Sequence, residues 1–142
     1  MLCHPLVSPL AAKSWEGSCP LFIEVGQELL TDEGKHVAAK AVEQGVNVVF
    51  EEYEAMPHCF AMLLEELPGG KRFFENWAGF ISDVVSGKSV ETKGTMVRAK
   101  TLKEESLDVR GLREVDDEVV AGRMREQVKA MSGKQPDSMS KL

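Results

Sequence analysis

Three features of residues 20–87 predict an α/β fold with a parallel sheet. Short β-type runs alternate with helix-type periodicity, glycine or proline bounds each segment, and the gap between the first two runs fits one helix. Leu21 to Val25 is a compact apolar run between Pro20 and Gly26, short enough for a buried strand. Thr31 can cap a helix, Asp32 and Glu33 place negative charge at its positive end, and Val37, Ala38, Ala41 and Val42 recur on one face until Gly45. Val46 to Tyr53 is rich in Val, Phe and Tyr and reads as a second strand. Strand, helix, strand in this order is a right-handed βαβ unit.

After a loop around Ala55 to His58, residues Phe60 to Leu67 predict a short helix stopped by Pro68, Gly69 and Gly70. A longer helix is predicted between Arg72 and Val85. Its residues Phe73, Phe74, Trp77, Phe80, Ile81, Val84 and Val85 form a broad apolar stripe, read as a face packed into the core rather than a cofactor or lipid groove. From Lys88 onward the composition turns to mixed charge with few large apolar groups, until Asp116 or Asp117 caps a last helix through Met131 with a thin apolar stripe. Ser132 to Leu142 is polar and is expected to be disordered.

Composition narrows the function less than the pattern does. The 142 residues are 43% hydrophobic and 28% charged, a globular balance. A net charge of −6 without a Lys/Arg run argues against nucleic acid as a partner. Cys3, Cys19 and Cys59 are an odd set without CxxC spacing, read as free thiols in a reducing compartment. Met1 to Ala12 lacks the basic leading region of a signal peptide and carries Pro5 and Pro9, and no apolar stretch is long enough to span a bilayer. A cytoplasmic location is the expectation, unless a targeting signal is missing upstream. Cys3, His4, Cys19, His58 and Cys59 match no usual zinc-ligand spacing, so neither a metal nor a cofactor is expected. Gly87-Lys88-Ser89 ends like a phosphate loop, but Ser82 stands where that motif needs a glycine.

In a parallel sheet, reactive residues gather on loops at the carboxyl ends of the strands. The loop Gly26 to Asp32 holds Glu28 and Asp32, with Glu33 beyond it; the loop Glu54 to Phe60 holds His58. Neighbouring parallel strands bring these loops side by side, so a carboxylate of one can reach the imidazole of the other. That pair is the orienting half of a catalytic triad, in which the carboxylate fixes the histidine tautomer and leaves the other ring nitrogen free to accept a serine proton. Glu65, Glu66, Glu51 and Glu52 are read as solvated charges. His4 and His36 gain no functional support.

The segments Gln27-Glu28-Leu29-Leu30-Thr31-Asp32-Glu33 and Tyr53-Glu54-Ala55-Met56-Pro57-His58-Cys59-Phe60 resemble the acid and histidine motifs of the hormone-sensitive-lipase-like esterases. His4-Pro5-Leu6-Val7-Ser8-Pro9-Leu10 resembles the stretch before the acid motif, and the likeness covers roughly Pro5 to Val85. The resemblance implies an incomplete α/β-hydrolase fold: the last two parallel strands with flanking helices over residues 1–87, then a charged extension over 88–142. It also implies Glu28 as the triad acid and His58 as the base. Asp32 is the second candidate for the acid, disfavoured because it starts a helix. Glu28 stands where the family commonly has Asp, and Cys59 where a glycine follows the histidine.

The nucleophile motif G-x-S-x-G of such enzymes is absent from the 142 residues. Ser89 has Gly87 before it but Glu91 after it. The expectation is therefore the C-terminal portion of a serine ester hydrolase acting on small-molecule esters, inactive by itself. Its short sheet should leave the apolar helix face open to self-association. The alternative is a noncatalytic protein that binds a partner through the helix over 72–85.

Overall fold

The computed structural model describes residues 3–132. They divide into a unit over Ser14–Glu114 and a second formed by the flanking residues. The larger unit is built on one sheet of four strands in the order β1 (Leu21–Gly26), β2 (Val48–Tyr53), β3 (Lys93–Val97), β4 (Glu104–Leu107). Strands β1, β2 and β3 are parallel, and β4 returns antiparallel to β3.

The βαβ unit forms as its sequence predicts. Helix α1 (Thr31–Glu43) crosses between β1 and β2, and Leu21 pairs with Val48 through to Gly26 with Tyr53. Strand alternation sends Val48 and Phe50 to the α1 side, where they join Ala38, Ala41 and Val42 in a buried cluster together with Leu21, Ile23 and Val25. Gly45 ends the helix at φ +82°, and Val46 donates back to the Ala41 carbonyl, closing a left-handed cap that only glycine enters without strain.

The opposite face of the sheet carries α2 (Phe60–Leu63) and α3 (Pro68–Val85). Tyr53, Phe60, Ala61 and Val97 form a second buried cluster, flanked by Phe73 and Phe74, and Phe22 packs its ring against Phe73 and Phe80. Pro68, Gly69 and Gly70, expected to stop a helix, instead start α3. Proline at the first position needs no amide hydrogen there, and its fixed φ suits a helix entry. Both glycines are buried, and a Cβ on Gly70 would sit 2.5 Å from the Leu64 carbonyl oxygen. The α3 stripe is only partly core. Phe73, Phe74, Phe80 and Val84 are half-buried, while Trp77, Ile81 and Val85 are exposed.

The sheet is larger than the two strands expected from the sequence. Strands β3 and β4 lie in the stretch read as a charged extension, and β3 completes the pairing of β2 from Val49 with Lys93 to Tyr53 with Val97. This makes β2 an interior strand, and it overturns the reading of Glu51 and Glu52 as solvated. Both are buried because strands flank them on either side and helices cover the sheet.

In the smaller unit, Pro9–Ala11 forms one 3-10 turn and α4 spans Asp117–Ser132. Asp116 caps α4 by accepting the Val119 amide at 2.9 Å. The expectation for the polar end falls almost entirely outside the described residues.

Candidate functional site

The carboxyl ends of β1 and β2 lie side by side, and their loops meet. Glu28, two residues after β1, places Oε1 3.1 Å from His58 Nδ1, and its Oε2 accepts the Leu30 amide at 2.9 Å. The Leu30 amide is the main influence holding the Glu28 carboxyl below its ordinary range, and the His58 contact acts in the same direction. The imidazole is 63% exposed and the Glu28 side chain 19%. The ring is thus held through Nδ1 while most of the side chain remains open to solvent. Asp32, the second candidate for the acid, stands in the first turn of α1, where it favours the helix dipole.

Local sequence explains how the two loops hold this geometry. Thr31 does not cap α1 as expected; Leu30 takes the cap position and Thr31 is the first helical residue. Its buried hydroxyl instead ties the acid loop together. It accepts the Glu28 amide at 2.9 Å and lies 2.5 Å from the Gly26 carbonyl and 2.7 Å from the Glu28 carbonyl. Gln27 bridges the loops, accepting the Ala55 amide at 3.3 Å through Oε1 and donating from Nε2 to Glu52 at 3.5 Å. Lys35 pairs with Glu52 at 3.0 Å, which compensates the charge of that buried carboxylate.

At Gly26 the end of β1 meets the backbone of the histidine loop. A Cβ there would overlap the Met56 carbonyl and lie 2.9 Å from the Pro57 carbonyl oxygen, so only glycine lets the histidine loop lie against the end of β1. The histidine loop itself turns through two left-handed residues, Ala55 at φ +57° and Cys59 at φ +55°. A glycine after the histidine would enter this conformation freely, whereas Cys59 occupies it with a Cβ. Cys59 then forms the N-cap of α2, whose Phe60 is fully buried and anchors the loop to the core.

Near the pair lies a half-buried carboxylate that the sequence reading missed. Glu24 sits inside the apolar run of β1 and is the register partner of Glu51. Its Oε1 is buried with no hydrogen-bond partner among the described residues. Burial first, then the neighbouring Glu51, pushes its carboxyl up to about 7, while His58 acts in the opposite direction. Glu51 itself is well satisfied: it accepts from Tyr53 Oη at 2.7 Å, Asn76 Nδ2 at 2.7 Å and Arg72 Nη2 at 3.4 Å. The signal available was the alternation Phe22, Glu24 in β1, which sets an acid on the same strand face as a large aromatic side chain.

No group of three or more His, Cys, Asp or Glu able to hold a metal occurs among the described residues. Cys3, Cys19 and Cys59 are free and exposed. No helix among the described residues is long and apolar enough to cross a membrane.

A parallel sheet flanked by helices, with acid and histidine loops at adjoining strand ends, is the arrangement of an α/β-hydrolase segment. Residues 1–62 match the family model described as alpha/beta hydrolase fold. The resemblance to the hormone-sensitive-lipase-like family, read first from the two motifs, holds for that segment. An acetyl-hydrolase of Streptomyces hygroscopicus is 37% identical over 79 residues, which are 55% of this chain and 26% of the relative. The chain thus matches about a quarter of that protein's length. No solved structure matches.

Proposed function

We propose that this chain is the C-terminal portion of a serine-dependent carboxylic ester hydrolase, with Glu28 as the orienting acid and His58 as the general base. The observation that carries this reading is the 3.1 Å contact between Glu28 Oε1 and His58 Nδ1 on adjoining strand ends. Donation from Nδ1–H to Glu28 selects one tautomer, and Nε2 is left to accept the proton of a serine hydroxyl as it attacks the ester carbonyl. The imidazolium formed then passes that proton to the departing alkoxide, and water repeats the sequence on the acyl-serine. Nucleophile and oxyanion donors come from sequence outside these 142 residues, so the chain alone does not turn over esters. The similarity to an acetyl-hydrolase favours short acyl groups.

The test joins this chain to the upstream part of the Streptomyces hygroscopicus protein, in place of that protein's own matching segment. The chimera is expected to cleave p-nitrophenyl acetate, with a loss on the order of 10⁶ in kcat on His58→Ala. An active chimera indifferent to His58→Ala would sink the assignment.

A second reading is favoured by one observation. Trp77, Ile81 and Val85 stand exposed at four-residue spacing on α3, a short apolar stripe without cover among the described residues of its unit. In this reading α3 binds another protein chain and Glu28 and His58 are relics. Elution of the purified chain as a monomer at high concentration, with unchanged behaviour on Val85→Glu, would remove self-association as the use of that stripe.

A further inference from the structure

Strands β3 and β4 lie beyond residues 1–62, the part that matches the hydrolase family, yet their connecting loop is bonded to the residue that leads into the histidine turn. Glu54 is the first residue after β2. Its amide donates to the Val97 carbonyl at 2.9 Å, its Oε2 accepts the Ala99 amide at 2.8 Å, and its Oε1 accepts from Arg98 Nη1 at 3.2 Å. Arg98 also binds Glu105 on β4, and the Arg98 amide donates to the Lys103 carbonyl at 2.9 Å, which closes the loop. Leu102 packs against the buried cluster of Tyr53, Phe60 and Val97, to which Met56 of the histidine turn also packs.

An exposed ion pair by itself contributes little. Here both Glu54 oxygens and its amide are engaged with one short stretch, so the backbone entering Ala55 is held at three points. The left-handed turn at Ala55 needs such restraint, because nothing in an alanine side chain favours φ +57°. On the other side of the same peptide, Gln27 accepts the Ala55 amide. The histidine turn is therefore gripped between the acid loop and the β3–β4 loop.

We infer that Glu54 and Arg98 are positioning residues for His58: the β3–β4 loop acts as a clamp that holds the imidazole against Glu28. This rests on the relay reading above, but its readout does not depend on ester cleavage. In the 142-residue chain, ¹⁵N spectra of the imidazoles above the histidine titration range report the ratio of Nδ1–H to Nε2–H for His58, with His58→Gln used for assignment. The wild-type chain is expected to be enriched in the Nδ1–H form. Arg98→Met and the isosteric Glu54→Gln should each lower that ratio by roughly threefold or more, with Arg98→Lys intermediate, the scale expected for losing one charge-assisted hydrogen bond. Lys103→Met, in the same loop but with its ammonium 3.9 Å from Glu105 and not paired with Glu54, should leave it unchanged.

A wild-type ratio without Nδ1–H enrichment would sink the relay reading and this clamp with it. Enrichment that survives both Arg98→Met and Glu54→Gln, with β1 and β2 amide signals intact, would sink the clamp alone. So would an equal fall with Lys103→Met, or loss of the sheet signals in both variants, which would assign the pair to stability instead of positioning.

Discussion

Gly26 and Met56 approach so closely that any side chain at position 26 would occupy the space of the Met56 carbonyl. This contact, rather than the hydrogen bond between Glu28 and His58, sets how near the two loops can lie. A Cβ at Gly26 forces the histidine turn outward and stretches the pair it carries. Gly26→Ala is expected to destabilise the chain by about 1–3 kcal/mol through overpacking and to abolish the Nδ1–H enrichment of His58. Urea unfolding and imidazole ¹⁵N spectra check the two parts separately.

Cys59 adopts φ +55° immediately after the histidine. A left-handed residue with a Cβ costs about 1–2 kcal/mol, and part of the relief on substitution by glycine is offset by the greater freedom of the unfolded chain. Cys59→Gly is therefore expected to stabilise by roughly 0.5–1 kcal/mol. Cys59→Ala keeps the Cβ and should show no such gain. Unfolding midpoints of the three chains decide the matter. Equal gains in both variants would trace the effect to the thiol and not to the backbone.

The acid loop depends on Thr31 for its shape. Its hydroxyl accepts the Glu28 amide and reaches the Gly26 carbonyl from a buried position. Thr31→Val keeps the volume and leaves those backbone groups without their partner, at a cost of about 1–3 kcal/mol. Thr31→Ser keeps the hydroxyl and should retain most of the stability. Loss of stability in the serine variant equal to that in the valine variant would show that packing of the methyl matters instead.

Much of this site is local in sequence, and so it was legible. The apolar run from Leu21, the Gly45 stop and the Val-rich run to Tyr53 each specify their element from neighbouring residues, and parallel pairing then puts Glu28 beside His58. Strands β3 and β4 were not legible because Lys93-Gly94-Thr95-Met96-Val97 and Glu104-Glu105-Ser106-Leu107 are short and polar. The state of β3 is decided by the free edge of β2, some 40 residues upstream, and that of β4 by its antiparallel pairing with β3. The burial of Glu51 and Glu52 followed from the same non-local pairing. Their partners Arg72, Asn76 and Lys35 lie on helices that no pattern around Glu51 reveals. Pro68 was misread because the same residue punctuates a helix end and opens a helix start, and only the chain direction through Gly69 and Gly70 distinguishes the two.

Glu24 makes stability depend on pH in a direction opposite to that of an ordinary paired carboxylate. Its folded value, about 7, lies above the value of 4.5 for a free side chain. The folded chain therefore holds this proton more tightly than the unfolded chain does. Below about pH 4.5 both forms are protonated and the group costs nothing. As pH rises from there to about 7, unfolding releases a proton and stability falls, and above about 7 the loss is complete. Solvent reaches part of the side chain, which reduces the loss to roughly 1–2 kcal/mol. Glu28 acts outside this window, because its carboxyl is lowered and its contribution is lost only as pH falls below about 4.5. Glu24→Gln should thus leave stability near pH 5 almost unchanged, raise it at pH 8, and flatten the decline between them. Unfolding by urea at pH 5, 6.5 and 8 measures the slope directly. A wild-type chain whose stability rises through this window, with the same slope in Glu24→Gln, would mean that Glu24 titrates as an exposed carboxylate and that burial and Glu51 do not hold it protonated.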